Sequence, residues 1–412
     1  MKRMIKGLTL SAVASSVVMA GGYKIPEQSL NSMALGGAYV AHTTGADTAY
    51  FNPANMVFLG EKQYVEGALT LATLPPIDYY GVAESKRENI VIPSFHYVSA
   101  PMGDFRWGVS MTAPAGLTKR WDAQPGKAYS EEFTLKVIEL NPSIAYKVSE
   151  NFSVGAGLRM VYSEGVVKSD ASGLPIPGVP AGLEPQRDME GDTIEFGYNL
   201  AMTYKPTSDI NLAMTYRSKV DLDEEGTAKL SGFGQSYDGS ATVSVPLPAA
   251  FNVSVSKTWE NTFTLELNYE RTYWSAYKTL DFGYNKNIGG FLGKSFDDPV
   301  DKNWKDTNTF RIGATIVVDK MTMMMGFALD ETPVPDETIS FELPDSDAKV
   351  FSLGFRYQQT ESLSWGAAFL YDSKEPRSVG RGIADNAVIK ANGASFSGGG
   401  AFLTTVGMAY EF

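Results

Sequence analysis

The carboxyl-terminal stretch AFLTTVGMAYEF, residues 401–412, alternates in character from one residue to the next. One face of an extended strand here would carry mostly large side chains, namely Phe402, Thr404, Val406, Met408, Tyr410 and Phe412. The other face would carry Ala401, Leu403, Thr405, Gly407, Ala409 and Glu411. Because successive side chains of a strand point to opposite sides, one face of this strand suits an apolar solvent, and we interpret that solvent as lipid.

The same alternation recurs earlier in the chain, in residues 152–163, 194–204 and 263–270. A soluble β-sandwich, which would bury these apolar faces against a second sheet, is the alternative interpretation. A final aromatic residue at the close of a strand, here Phe412, resembles the terminal signal that the assembly machinery of bacterial outer-membrane barrels reads. The pattern therefore favours an all-β transmembrane antiparallel barrel that depends on this machinery as a partner.

The connections between strand patterns alternate between short and long. Six short turns are expected near 101–103, 149–151, 205–209, 259–261, 319–320 and 360–362. Seven long loops are expected near 74–87, 115–131, 169–190, 230–239, 282–303, 331–346 and 373–397. Together they predict about 14 strands, with the short turns in the periplasm and the long loops outside the cell.

Composition limits the function classes. The chain has 412 residues without a linker after about residue 60, which fits one large closed sheet better than two domains. Cysteine is absent, so thiolate metal sites and disulfides are excluded. The formal net charge of −12 argues against nucleic acid as a partner, because phosphates need basic patches. We predict no metal, no cofactor and no catalytic residue.

Two segments precede the strands. Residues 1–20 have a basic start, a short apolar core and small residues before Gly21, as in a signal peptide; a short membrane anchor is the alternative. Residues 21–60 are small and polar without an amphipathic period, and they end in Asn52-Pro53-Ala54 and a few further residues. We interpret residues 21–60 as a plug inside a barrel formed by residues 61–412.

Five motifs together resemble the FadL/TodX family over nearly the whole chain: Gly22-Tyr23, Asn52-Pro53-Ala54, Thr215-Tyr216-Arg217-Ser218, the run from Gly326 to Pro335, and Tyr410-Glu411-Phe412. The resemblance implies a fourteen-stranded bacterial outer-membrane barrel with an N-terminal hatch. It also implies a monomer through which long-chain fatty acids or other hydrophobic compounds diffuse, with a third strand kinked inward beside the Asn-Pro-Ala motif.

The third strand has a candidate gap at Pro114 and Gly116. Proline lacks the N–H that a ladder requires, and glycine permits unusual backbone angles. A hydrophobic cargo released sideways through such a gap would avoid periplasmic water. We therefore expect gating by Asn52, Pro53, Ala54, Pro114 and Gly116, the alternative being that Pro114 only ends the strand.

Ligand-binding candidates fall into three groups. Capture in the loop after Gly116 is assigned to Leu117, Lys119, Arg120 and Trp121, with contact to lipopolysaccharide phosphates as the alternative. In the lumen, a carboxylate would meet Arg159, Arg311 or Arg356, unless these pair with lumenal acids such as Glu195, Glu266 or Glu270. Tyr23 would occupy an internal pocket, or simply pack. Glu164 stands where well-known relatives carry an arginine, which favours a neutral cargo.

Two other functions stay open. A porin for polar solutes would need an open lumen. An outer-membrane lipid hydrolase would need a Ser–His pair oriented by a third group, and His96 is its candidate. The primary prediction is passive uptake of hydrophobic small molecules, with fatty acids, alkanes and aromatics undistinguished by the sequence.

Overall fold

The computed structural model describes residues 21–412, so the predicted signal peptide, residues 1–20, lies outside the described residues. Fourteen antiparallel strands form the wall, as predicted. They are β1 Tyr64–Leu74, β2 Glu88–Val98, β3 Phe105–Thr112, β4 Glu132–Ser149, β5 Phe152–Asp170, β6 Gln186–Thr207, β7 Ile210–Arg217, β8 Ala250–Trp259, β9 Phe263–Thr272, β10 Thr307–Val318, β11 Met321–Asp330, β12 Ala348–Gln358, β13 Leu363–Lys374 and β14 Ala401–Glu411.

The wall closes because the first strand pairs with the last. β1 and β14 run antiparallel from the Tyr64 and Glu411 pair to the Thr73 and Phe402 pair. The alternating faces predicted for β14 are confirmed: Phe402, Val406 and Met408 are exposed on the outside, whereas Leu403 and Thr405 are fully buried inside. This pairing removes the outer edges that β1 and β14 would otherwise offer to another chain.

Outward aromatic side chains cluster near the short turns. Trp107, Trp259 and Trp365 are each between 41% and 42% exposed and lie close to the turns that connect β2–β3, β8–β9 and β12–β13. Aromatic belts of this kind mark the boundary between hydrocarbon and water in membrane barrels. All six short turns occur where the sequence places them.

The long loops carry additional structure. The β7–β8 connection is longer than the loop predicted near 230–239, because it contains a hairpin of the strands Val220–Gly232 and Gln235–Leu247. Further short strands are Ile77–Tyr79, Ala83–Glu84, Gly116–Lys119, Thr279–Leu280, Phe282–Tyr284, Val300–Asp301, Arg377–Val379 and Ala394–Gly398. Loop helices are α3 Lys127–Ser130, α4 Gly290–Phe296 and α5 Ala387–Asn392, with 3₁₀ turns at Trp274–Ala276 and Asp336–Thr338.

Residues 21–63, the N-terminal segment, precede β1 and contact the inner face of the wall. The segment contains α1 Leu30–Ala34, α2 Thr48–Phe51 and a 3₁₀ helix Pro53–Phe58. Ser29 caps α1 by accepting a hydrogen bond from the Ser32 backbone. Inward glycines let its backbone approach the strands: a methyl group added at Gly326 would lie 2.2 Å from the carbonyl oxygen of Leu35.

The segment is also tied to the wall by charge. Glu266 of β9 accepts hydrogen bonds from the backbone N–H groups of Val40, Ala41 and His42, at 2.6 to 2.8 Å. Three backbone donors on one carboxylate stabilise its buried charge, as oriented amides do in anion-binding nests. Among the described residues, no helix is both long and apolar enough to cross a membrane.

Candidate functional site

The third strand of the wall is interrupted. β3 ends at Thr112, and pairing with β4 resumes only at Gly116, so Ala113, Pro114 and Ala115 form a break. β2 pairs with β3 only from Phe95 to Val98. Among residues 21–412, no strand pairs with the other edge of β2 between Glu88 and Ser94, although β1 pairs with all of it. The wall therefore has a gap between β2 and β3 beside Pro114, and gating through this gap stays a prediction.

The polar groups of the break are satisfied by the N-terminal segment. The Ile25 N–H donates to the Pro114 carbonyl at 2.9 Å, and the Gly116 N–H donates to the Tyr23 carbonyl at 2.8 Å. The Gln28 side-chain amide donates to the Ala113 carbonyl and accepts from the Ala113 N–H, at 2.9 and 2.8 Å. These four bonds, which we call the latch, replace the ladder that the gap removes.

The Asn-Pro-Ala motif contacts a different part of the wall. Asn52 donates to the Val40 carbonyl and to Thr203 of β6, at 2.8 and 2.9 Å. Ser153 of β5 donates to the Ala54 carbonyl at 2.8 Å. These contacts, which we call the anchor, lie on β5 and β6, whereas the resemblance implied that the motif sits beside the kink. The hydrogen bonds to the break come from residues 23–28.

Tyr23 closes one side of an apolar cavity. Its ring meets Trp274 edge-on at a centroid distance of 4.7 Å, and Trp304 at 5.6 Å. The inner cavity is lined mainly by aromatic and aliphatic side chains that include Tyr23, Leu117, Leu135, Val245, Tyr277, Phe282, Trp304 and Leu343. Tyr23 therefore packs as part of the cavity wall, and its role toward a ligand stays a prediction.

Ionisable groups in the inner cavity are few and largely compensated. Lys302 forms an ion pair with Glu342. Glu224, in the loop hairpin, accepts a hydrogen bond from Ser163 at 2.9 Å, and burial raises the pKa of this carboxyl to about 7. Burial also raises the pKa of the Tyr277 hydroxyl, which stays protonated. Such a lining favours a ligand that is mostly hydrocarbon.

A wider cleft opens among the loops and adjoins the inner cavity. This outer cleft includes Tyr80, Tyr129, Ile176, Phe296, Ile339 and Val388. Seven residues line both spaces, namely Phe133, Leu280, Phe282, Lys302, Thr338, Ser340 and Glu342. The two spaces therefore share one partition, across which a molecule would move from loop to lumen.

The predicted capture residues separate in the structure. Leu117 lines the inner cavity, and Lys119 is 3% exposed and lines a separate small cavity. Arg120 forms an ion pair with Glu88 above the gap, with Nε and Oε1 2.8 Å apart. Trp121 is fully buried, and its indole N–H donates to the Phe341 carbonyl at 2.9 Å. The loop thus folds inward and does not present these four side chains as one surface.

The three lumenal arginines are engaged with acidic partners. Arg159 Nε lies 2.9 Å from Glu139, Arg311 Nη2 lies 3.3 Å from Glu270, and Arg356 Nη2 lies 2.7 Å from Glu66. Of the acids expected to pair with them, Glu270 does so. Glu266 instead binds the N-terminal segment, and Glu195 accepts a hydrogen bond from Thr193 at 3.0 Å. A direct role of these arginines toward a ligand stays a prediction.

His96 and Glu164 also have partners. His96 is fully buried on β2, where Nδ1 lies 2.9 Å from Ser110 Oγ and Nε2 lies 3.0 Å from the Gln28 carbonyl. A Ser–His pair thus exists, but it is sealed by the N-terminal segment and holds Gln28. Glu164 forms an ion pair with Lys136 at 2.8 Å. No group of His, Asp or Glu within residues 21–412 is arranged to hold a metal ion.

Two site residues escaped the sequence analysis. Arg187 lines the outer cleft, where its guanidinium lies over Phe282 and Phe296 at 5.1 and 5.4 Å from the ring centroids. Trp304 joins the cluster around Tyr23. Arg187 precedes the alternating pattern at 194–204 by several residues. Sequence analysis could have found it only by extending the predicted strand toward the preceding loop.

Known proteins resemble the chain over nearly its whole length. The model of the family described as outer membrane protein transport protein (OMPP1/FadL/TodX) matches residues 11–412. A long-chain fatty acid transport protein of Escherichia coli O6:H1 is 28% identical, and the alignment covers 90% of this chain and 92% of that protein.

Solved structures show the same fold. A FadL homologue of Pseudomonas aeruginosa superposes with a TM-score of 0.80 at 20% identity, covering 95% of this chain and 99% of that one. The toluene transporter TodX of Pseudomonas putida superposes with a TM-score of 0.73 at 17% identity, covering 94% and 99%. The chain therefore belongs to the OMPP1/FadL/TodX family and is a multi-pass β-barrel of the bacterial outer membrane.

Proposed function

We propose that this barrel takes up long-chain fatty acids or other hydrophobic compounds by passive diffusion. One observation carries the proposal: Tyr23 forms the wall of an apolar cavity with its ring and closes the β3 break with its backbone carbonyl. A ligand that enters the inner cavity must displace the Tyr23 ring. Because the Tyr23 carbonyl is part of the latch, this displacement also disturbs the latch. The names of the E. coli relative and of TodX, a fatty acid transporter and a toluene transporter, agree with cargo of this class.

Capture takes place in the outer cleft. Its walls offer aromatic and aliphatic side chains such as Tyr129 and Ile176, onto which a hydrocarbon chain can transfer from water. Arg187 adds a cation without a carboxylate partner among the described residues. Leu117 then receives the chain in the inner cavity, while Arg120 and Trp121 hold the loop in place through Glu88 and Phe341.

Release takes place sideways, through the gap between β2 and β3. Moving a hydrocarbon from the cavity into periplasmic water would cost about 0.8 kcal/mol for each methylene exposed. Exit into the membrane avoids this cost. Pro93 on β2 and Pro114 on the break lack the N–H groups that would help the two edges pair, and Gly116 ends the break.

Residues 21–60 act as a plug whose two ends have different tasks. Asn52, Pro53 and Ala54 keep it seated on β5 and β6, and the latch residues move. Arg311 and Arg356 support the seat: Arg311 shares Glu270 with Lys24 of the plug, and Arg356 donates to Asn31 at 3.0 Å. Arg159, paired with Glu139, stiffens the wall. The protein works as a monomer among outer-membrane lipids and lipopolysaccharide, after insertion by the barrel assembly machinery.

The test is uptake of a labelled long-chain fatty acid by cells that lack their own transporter. The parent protein is compared with Pro114→Val, which supplies an N–H and allows β3 to continue as a regular strand. Pro142→Val is the matched control, because Pro142 is an exposed residue of the uninterrupted strand β4.

At equal surface expression we expect the parent and Pro142→Val to import the fatty acid, and Pro114→Val to import it several-fold more slowly. Failure of the parent to import either a fatty acid or toluene would overturn the proposed cargo class. Equal uptake by the parent and Pro114→Val would overturn lateral release through the break.

A further inference from the structure

Lys119 is a buried cation without an acidic partner. It ends the short strand Gly116–Lys119, and the residue is 3% exposed. Within the described part of the chain, no carboxylate lies at ion-pair distance from its ammonium group. The acid whose charge acts on Lys119 is Glu88, and both carboxylate oxygens of Glu88 accept hydrogen bonds from Arg120. A buried charge of this kind is costly unless something pairs with it.

Lys119 lines a small cavity. Its other lining residues include Leu343, Asp345, Lys374, Arg377 and Gly398–Gly400. Lys374 forms an ion pair with Asp345, and Arg377 forms one with Asp336. Glu375, also in the lining, pairs with Lys349 at 2.9 Å. Every other charge of this lining is therefore compensated, and Lys119 supplies the remaining positive charge.

The small cavity adjoins the inner cavity. Leu117 and Lys119 lie two residues apart on one strand, so their side chains leave the same face about 7 Å apart. Leu117 lines the inner cavity and Lys119 lines the small cavity. The two cavities share Leu343 as a lining residue.

The charge state of Lys119 agrees with an anion-binding role. Burial lowers the pKa of its ammonium group to about 8, with the positive charge of Lys374 adding to the effect. At pH 7 the group is still mostly protonated. A bound anion would raise this pKa again, because it favours the charged form.

We propose that Lys119 binds the carboxylate of a fatty acid whose hydrocarbon chain occupies the inner cavity. This inference rests on the proposed function. It specifies that Lys119, and not one of the lumenal arginines, binds the carboxylate of an acidic cargo. Arg159, Arg311 and Arg356 already pair with Glu139, Glu270 and Glu66. The competing cation is Arg187 in the outer cleft, which would hold the carboxylate at the opposite end of the path.

The experiment measures equilibrium binding of two ligands of equal chain length, palmitate and hexadecanol, to the purified protein in detergent micelles. Lys119→Gln removes the charge, and Lys119→Arg keeps it. Lys257→Gln is the matched control, because Lys257 is a partly exposed lysine whose partner, Asp209, lines neither the small nor the inner cavity. Arg187→Gln tests the competing cation.

We expect Lys119→Gln to weaken palmitate binding about tenfold or more, as the loss of a charged hydrogen bond would, and to change hexadecanol binding less than twofold. Lys119→Arg and Lys257→Gln should bind palmitate like the parent. Thermal unfolding of each variant shows whether it is folded. If Lys119→Gln is unfolded, the test rests on Lys119→Arg, which should still prefer palmitate to hexadecanol.

Four outcomes would overturn the assignment. Equal weakening of palmitate and hexadecanol by Lys119→Gln would make its role structural. Unchanged palmitate binding by that variant, with a selective loss in Arg187→Gln, would place the carboxylate in the outer cleft. A parent that binds hexadecanol but not palmitate would exclude an acidic cargo while leaving the proposed uptake of neutral compounds intact, and a parent that binds neither would overturn both.

Discussion

The N-terminal segment meets the barrel at two places that differ in kind. At the anchor, Ala54 and Asn52 lie against regular strands, and a methyl group at Gly155 would come within 2.6 Å of the Ala54 nitrogen. At the latch, Ile25 and Gln28 hydrogen-bond to an irregular backbone beside a cavity. Close packing resists displacement in every direction, whereas a few hydrogen bonds can be exchanged for others. The comparison indicates a fixed end and a releasable end on one short segment.

The largest effect should follow from filling the space at the anchor. Gly155→Ala would place a methyl group against the backbone of Ala54, and neither backbone can move without disturbing β5. We expect a loss of about 2 kcal/mol or more in the free energy of unfolding, a magnitude typical of overpacking. Denaturant unfolding in detergent measures it.

Gly67→Ala is the matched control for this substitution. Gly67 also lies in a wall strand, but the nearest atom to an added methyl group there, the Ser94 carbonyl oxygen, is 3.8 Å away. Equal stability losses in the two variants would show that the anchor is no tighter than the ordinary wall.

Removing the side chain of Asn52 should have the next largest effect. Asn52→Ala deletes two buried hydrogen bonds and leaves the Val40 carbonyl and Thr203 without this donor. We expect a cost of about 1–3 kcal/mol and faster proteolysis between α1 and β1. Asn211→Ala, which removes one hydrogen bond to Ser256 near a short turn, is the control and should leave proteolysis unchanged.

The latch should respond differently from the anchor. Gln28→Ala removes both hydrogen bonds to Ala113, so we expect a cost of about 1–2 kcal/mol, with increased hydrogen exchange confined to residues 113–116. Exchange at the anchor residues 52–55 should stay as in the parent. Loosening of both regions together would contradict the separation into fixed and releasable ends.

The smallest effect is expected at the Tyr23 hydroxyl. Tyr23→Phe deletes the hydrogen bond to the Pro246 carbonyl but keeps the ring among Trp274 and Trp304. The stability loss should be about 1 kcal/mol or less, with uptake close to that of the parent. Tyr23→Ala, which removes the ring, should instead enlarge the inner cavity and expose the latch. If both variants behave alike, the ring does not couple cavity and latch.

The strand pattern, the short turns and the break were predictable because each rests on local chemistry. The apolar face of β14 follows from alternate side chains, and the gap follows from the missing N–H of Pro114. The β7–β8 loop was underestimated, since a hairpin above the membrane has no lipid-facing stripe to reveal it. The burial of Trp121 was missed because its partner, Phe341, lies in a distant loop.

What the sequence by itself determined about this protein is the class of its wall: alternation of side chains sets which face meets lipid, and the order of turns sets the number of strands. Only the tertiary structure decided the partners inside. Arg356 pairs with Glu66 at the other end of the chain, and Glu266 binds the N-terminal segment. Within residues 21–412, Lys119 has no carboxylate at ion-pair distance. A strand's faces depend on neighbours two residues away, whereas an ion pair in the lumen depends on which strands the closed barrel brings opposite each other.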